Sequence, residues 1–527
     1  MTTVPATMVA MAVLTMAGLL PVLALVGLRW ITIPLAPLAG AVLAAMAATA
    51  YLGIGGTFIG WFVALAVVGA GAVGAQWVVR PDRRLRVPMA RRLPPHPTGY
   101  RATGAIGAVA IVAASVWSLR GLSTPTVGFD ARAVWLLRAG WFLQPHHQLL
   151  SDMRVSYVPL IQSAYPPLVS ASTAVAWSIT GNHSLRLGVV VVALLNTCAL
   201  AIAAFALVEG GRQVAFRLAR TEDPRPRGEG VTPGARSARV MPVAPEVAGV
   251  VAAVLLVFIA FGITEPFMTN GYADPIWSLA AVGAVAYGLQ MRRARSEQGA
   301  TLVLVLVAGM SKDEGLATAV ALIVLLTLRA WVTMPADQRH RHRWRPVGIG
   351  AVALAAVGAW PVLMRVLHAR GESASFSPTG DVFGRARATF DGMAPYLHVL
   401  VLAAPLAIVG GLVLATVRRR GQSANDAWAW AGVASGLVAV SGALIFGSGT
   451  IGPWLATTVH RVTEFPALAG WWIVATWAVV ASGAPAMARQ RRPRVPRPRG
   501  QPDGSPAAGT VVRPRTGLID SPLAGPT

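Results

Sequence analysis

STPTVGFDARAVWLLRAGWFLQPHHQLLSDMRVSYVPLIQSAYPPL, residues 123–168, is the longest mixed polar and aromatic interval in the chain that is not simply arginine-rich. Apolar runs bracket it, near 104–121 before and 187–208 after. Each is close to the roughly 20 residues an α-helix needs to cross a bilayer. The interval therefore reads as a segment exposed between membrane spans, and the fold follows from counting the spans around it. Asp130 opens an amphipathic segment with Trp135 and Arg138 on the following turns. His146, His147, Asp152 and Arg154 come next, and Tyr165-Pro166-Pro167 supplies a turn.

Upstream lie three further apolar runs, about 7–28, 31–51 and 57–78, with Arg29 between the first two. The basic stretch RPDRRLRVPMARRLPPHPTGYR (80–101) follows the third. Basic clusters beside spans stay in the cytoplasm, so the N-terminus is expected outside and the Asp130 interval also outside. Downstream, Pro167–Thr180 is apolar but too short for a full span. If both it and 187–208 crossed, the arginine-rich 210–243 loop would land outside, against the charge rule. An amphipathic or re-entrant helix along the interface over 167–180 restores the parity.

From there the alternation continues in pairs: 245–263 with 273–291, 299–310 with 315–332, 347–367 with 395–417, and 427–447 with 467–486. The count comes to about thirteen spans, an all-α polytopic membrane protein. Three divisions follow: 1–101, three leading spans and a basic cytoplasmic loop; 102–488, a membrane core; and 489–527, a Pro-, Arg- and Gly-rich tail expected to be a disordered cytoplasmic segment.

Composition agrees. Of 527 residues 55% are hydrophobic and only 13% charged, which excludes an ordinary soluble globule. The formal charge of +24 does not point to nucleic acid, because most of the basic residues fall in loops beside spans and in the tail. Such clusters meet anionic lipid instead. The single cysteine, Cys198, rules out an intramolecular disulfide framework and reads as a small packed apolar residue. No cleavable signal peptide is expected, since the first apolar run lacks a basic leader.

With this topology the unusual polar residues near span ends share one face. Asp130, Asp274, Lys312, Asp313, Glu314, His460, Arg461 and Glu464 come from four separate outer loops. Ionisable groups near the membrane usually mark a pathway or a site. Their gathering on one side suits chemistry at the surface better than transport, where polar groups sit midway on broken helices.

The motifs GFDARAVWLLRA (128–139), YPPL (165–168), GYADP (271–275), SKDEG (311–315) and TTVHRVTEFP (457–466), in this order, resemble the GT-C glycosyltransferases. The likeness is to the protein O-mannosyltransferase-like (family 39) branch, which includes the lipid A aminoarabinose transferases. It runs from about Gly104 to Pro466 and leaves out the three leading spans. It implies an inner-membrane enzyme that moves a sugar from a polyprenyl-phosphate donor to an acceptor hydroxyl outside the membrane, with inversion. The acceptor would be a glycan, a glycolipid or a protein.

On that resemblance Asp130 matches the catalytic acid of the first outer loop, in the role of general base. The bland alternative is an N-cap for the segment that follows. Where many relatives have two adjacent acids, this chain has Ala131 after Asp130, so an acidic pair for a metal is missing. No cofactor is called for by the residues themselves, and a divalent cation assisting the transfer stays open. A leaving lipid phosphate needs fixed positive charge, and Arg461, Lys312 and Arg138 are the candidates. Ordinary alternatives are an ion pair of Lys312 with Asp313 or Glu314, one of Arg461 with Glu464 on the same turn, and an interfacial anchor for Arg138.

Asp274, Glu314, Tyr165 and His460 are candidates for substrate binding. Asp274 could equally serve the helix dipole beside Pro275. Adjacent histidines point apart, so His146 and His147 make a poor metal pair. Trp135 and Trp141 read as interface-belt aromatics. Two other classes fit the span count: a flippase or transporter for polyprenyl-linked lipid or sugar, and a non-catalytic scaffold. The first predicts polar residues at mid-span, and the second predicts no need for Asp130, Lys312 and Arg461.

Overall fold

The computed structural model describes residues 2–79, 98–123, 126–154, 164–221, 244–265, 267–290, 295–334, 344–369, 381–401, 423–446 and 451–483. Among these residues the chain is all α, with no strand. Ten helices are long and apolar enough to cross a membrane. Seven of them are α1 (Thr3–Val26), α2 (Thr32–Ile54), α3 (Phe58–Val79), α4 (Thr98–Ser118), α8 (Leu185–Thr221), α9 (Ala244–Thr264) and α12 (Asp313–Val332). The other three are α13 (Trp344–Val366), α15 (Ser423–Phe446) and α17 (Glu464–Ser482).

Thirteen spans were expected. Of the remaining three, α10 (Asp274–Val285), continued by a π-helical turn Ala286–Gln290, and α11 (Arg295–Gly309) form as shorter apolar helices. The third, near 395–417, lies mostly outside the described residues, as do the tail 489–527 and 222–243 of the arginine-rich loop.

Backbone polar groups in hydrocarbon must be satisfied within each segment, which is why the spans are helices. Small residues then let helix axes approach. At the α1–α2 crossing, a Cβ on Gly18 would stand 2.0 Å from the Ala36 carbonyl oxygen, and one on Gly40 2.0 Å from that of Leu14. This pair is therefore closed by backbone-to-backbone contact that only glycine permits. α2 in turn packs on α7 (Leu168–Thr180), α8 and α11, so the leading helices are set into the bundle.

α7 forms as the short helix expected, but of the two expected forms, amphipathic or re-entrant, it is not an amphipathic helix with one face left open. Leu168 through Trp177 are all buried, walled in by α1, α2 and α8. The short length was readable, but an apolar surface all round belongs to a helix enclosed by protein rather than one lying on headgroups. Its start is fixed where the Leu168 amide donates to the Met310 carbonyl at 2.8 Å. α8 then begins beside Leu136 and Thr173, which pack on Gly188.

Two ends of the bundle carry most of the ionic contacts. At one, Arg29 reaches Glu209 of α8 at 2.7 Å and Glu297 of α11 at 3.4 Å, clamping the α1–α2 corner to the core. Nearby, Arg329 donates to the Gly288 carbonyl in the π turn and to Asn425 Oδ1 at 2.7 Å, so a carbonyl in that turn gains a side-chain donor.

The other end holds the segment around Asp130. There Asp381 caps α14 (Val382–Met393), accepting from the amides of Phe383 and Gly384 at 2.9 and 2.8 Å. Arg385 donates to the carbonyls of Ile445 and Leu444 at the end of α15.

Candidate functional site

Asp130 stands just before a π-helical turn, Ala131–Leu136, which runs on as α5 (Leu137–Trp141). No side-chain cap is made: Asp130 is already helical, at φ −62° and ψ −35°. Its carboxylate instead meets Arg461, with Oδ2 2.7 Å from Nη1. The N-cap alternative is set aside by this geometry. Upstream, the Gly128 amide donates to the Asn270 carbonyl at 3.1 Å, tying the segment to the loop before α10. A side chain at Gly128 would run into the Tyr272 ring, its Cβ 2.1 Å from Cε2.

Asp274, at the first turn of α10, is the hub. It is fully enclosed, and its two oxygens divide between two cations. Oδ1 accepts from Lys312 Nζ at 2.7 Å. Oδ2 lies 3.1 Å from Arg461 Nη2 and 3.2 Å from Nε. Lys312, just ahead of α12 and only 2% exposed, also reaches Glu314 Oε1 at 3.2 Å. A continuous chain of ion pairs thus runs Asp130, Arg461, Asp274, Lys312, Glu314. Burial works against the Lys312 ammonium, yet the carboxylates of Asp274 and Glu314 outweigh it and hold its pKa above the usual lysine value.

Two ordinary expectations are thereby revised. Arg461 sits on α16 (Ile451–Val462), one helix short of Glu464, and turns to Asp130 and Asp274 rather than to that neighbour. Lys312 does pair with Glu314, but its nearer partner is Asp274.

An aromatic wall covers the Arg461 guanidinium. Its Cζ lies 4.8 Å from the centre of the Tyr272 ring and 5.7 Å from that of Phe267. The Tyr272 hydroxyl accepts a long 3.4 Å bond from the Asp130 amide. Burial and the Asp130 carboxylate both raise the Tyr272 phenol above its usual pKa, so it stays neutral. His460 packs its ring 5.2 Å from Phe267 and 6.1 Å from the half-exposed Tyr396. It lies at the edge of the cluster.

Arg138 and Tyr165 form a second, adjoining layer. Arg138 is 1% exposed, which replaces the expected interfacial anchor by a buried cation. It donates through Nη2 to the Tyr165 carbonyl at 2.6 Å and lies 5.8 Å over the Trp360 ring. Nη1 has no hydrogen-bond partner among the described residues. Trp135 stacks on Tyr165 with centroids 5.4 Å apart. Trp135 and Trp141 are both buried, so neither belongs to an interface belt. Burial, with Glu314 and Asp313 close by, lifts the Tyr165 phenol well above its ordinary pKa and links this layer to the ionic one.

Sequence reasoning picked out every member of the ion-pair chain but missed Tyr272 and Phe267. Their signal was position alone, within TEPFMTNGYADP beside Asp274. His146 is occupied elsewhere, within 3.0 Å of the Leu52 carbonyl, and the Tyr51 hydroxyl donates to the Gln144 carbonyl. Among the described residues no group of three or more His, Cys, Asp or Glu side chains is placed to hold a metal ion. Asp130, Asp274 and Glu314 are each already met by Arg461 or Lys312.

The chain was compared with protein-family models, curated proteins and solved structures, and nothing matches in any of the three.

Proposed function

We propose that this is a membrane glycosyltransferase that moves a sugar from a polyprenyl-phosphate carrier to an acceptor hydroxyl at the extracytoplasmic face of the plasma membrane. One observation carries the reading: acids and bases from four remote segments form a single, largely buried ion-pair chain at one end of an apolar helical bundle. Desolvating so many charges is expensive, and a fold that needed only stability would do as well with apolar residues there. Ionisable groups gathered this way in a membrane protein point to a site. Their place at a bundle end, rather than in mid-span, favours chemistry over passage of a lipid or sugar.

In the proposed step the Asp130 carboxylate takes the proton of the acceptor hydroxyl as that oxygen attacks the anomeric carbon. The bond from that carbon to the phosphate oxygen breaks, its electron pair stays on the phosphate, and the configuration inverts. Charge grows on the leaving phosphate, where Arg461 and Lys312 supply fixed positive charge. Arg461 offers two nitrogens to one phosphate, and Lys312 a point charge.

The 2.7 Å contact between Asp130 and Arg461 is then a resting arrangement. A donor phosphate that takes Arg461 leaves the carboxylate free to act as a base. Asp274, held between both cations, keeps them oriented as a positioning residue.

The test is transfer by the purified protein in proteoliposomes, given polyprenyl-phospho-sugars and a cell-envelope extract as acceptor. The expected result is loss of lipid-linked sugar matched by release of free polyprenyl phosphate. Donor that remains intact across a panel of sugars would remove the proposal.

A further inference from the structure

Asp130 and Lys312, the base and a phosphate cation of the proposed step, lie on separate elements. Asp130 leads into the π turn and α5, while Lys312 sits in the corner 310–312 between α11 and α12. The ion-pair chain links them through Arg461 and Asp274. A donor phosphate that draws Arg461 away from Asp130 opens that link just when the spacing of base and phosphate matters most. The spacing then depends on contacts outside the ion-pair chain.

The turn 164–168, AYPPL, supplies them. On one side it is keyed to the segment that Asp130 opens. The Tyr165 ring stacks on Trp135 of the π turn, planes 16° apart, and the Tyr165 carbonyl accepts from Arg138 Nη2 of α5 at 2.6 Å. On the other side the Leu168 amide donates to the carbonyl of Met310, two residues before Lys312. From α13 the Trp360 indole donates to the Ala164 carbonyl at 2.9 Å, and its face lies under the Arg138 guanidinium. Pro166 and Pro167 fix two successive φ angles and restrict Tyr165 ahead of them, so the turn is stiff. Trp135, Arg138, Pro166, Pro167 and Trp360 are all buried, which shields these contacts from water.

We infer that this turn is the spacer that fixes Asp130 against Lys312 during transfer, with Arg138 as its positioning residue rather than a ligand of the donor phosphate. The inference rests on the glycosyltransferase reading and adds a part to it. A desolvated guanidinium is costly to keep. Here a backbone carbonyl at a proline turn and an indole face offset the cost, and both are protein groups. A spacing error is felt in the transition state, where base and leaving phosphate must both be in place, more than in donor binding.

The experiment measures kcat and donor KM in the proteoliposome assay, with thermal unfolding as the check on folding. Arg138→Met removes the donor to Tyr165, Trp360→Phe removes the donor to Ala164 but keeps an aromatic face, and Pro166→Ala loosens the turn itself. Each is expected to lower kcat by about ten- to a hundredfold while donor KM stays within about twofold of wild type. Arg138→Lys, which can still donate to the carbonyl, recovers most of the rate. Arg138→Met combined with Trp360→Phe is no slower than the slower single variant, because both loosen one turn. A donor KM raised about tenfold or more by Arg138→Met, but by neither Trp360→Phe nor Pro166→Ala, overturns the spacer and makes Arg138 a phosphate ligand. Wild-type kcat in Trp360→Phe and Pro166→Ala overturns it as well. If the wild type transfers no sugar from any donor, the glycosyltransferase reading fails and takes the spacer with it.

Discussion

On the proposed mechanism, replacing Asp130 by Asn is expected to cut sugar transfer sharply while the protein remains folded and inserted. The substitution keeps the shape and one oxygen but cannot accept the acceptor's proton. Loss of a positioned base costs about 10²–10⁴-fold in rate. Asp130 is the most exposed member of the ion-pair chain, its side chain 29% accessible, and Arg461 keeps Asp274 when Asp130 is neutralised. Stability should therefore change little, which separates chemistry from folding. Measured in the proteoliposome assay, kcat should fall by this amount with thermal unfolding near wild type. Glu at the same position, which restores a base on a longer arm, should recover part of the rate. An Asn variant of full activity would take Asp130 out of the mechanism.

Asp274→Asn is expected to show the opposite profile, a large loss of stability. Asp274 is enclosed and, among the described residues, is the one acid paired with both Lys312 and Arg461. Removing its charge leaves two cations deep in the protein with one remaining acid each, Glu314 and Asp130. Breaking a buried pair from one side costs about 3–5 kcal/mol, because the stranded charge cannot return to water. Removing both partners is far milder. The double variant Asp274→Leu with Lys312→Met should regain much of the lost unfolding temperature in detergent and still fail to transfer sugar. Equal stability of wild type and Asp274→Asn would mean that water reaches this layer and that the charges are not stranded.

The residues of the site were legible in the sequence; their partners were not. Asp130, Asp274, Lys312 and Arg461 stood out because charge near a span end is costly and therefore conspicuous. Which acid meets which base depends on how distant segments pack. Arg461 shows this: local spacing offers Glu464, while the folded bundle brings Asp130 and Asp274. α7 gives the same lesson for the fold. Its thirteen residues were too few to span, but the same apolar pattern fits a helix at the interface and one enclosed by protein. Trp135 and Trp141 were misplaced for a like reason, since an amphipathic aromatic suits a belt or a core equally well until neighbours are known. The glycines that close α1 on α2 carried no distinguishing signal among 54.

Mass spectrometry of lipid carried through purification tests the account most directly, since a lipid-phosphate donor is its centre. The wild type, extracted gently and released intact, should carry a polyprenyl phosphate or its sugar adduct, and Arg461→Ala should carry much less. A protein that retains only ordinary membrane phospholipids, in the same amounts with or without Arg461, would contradict it.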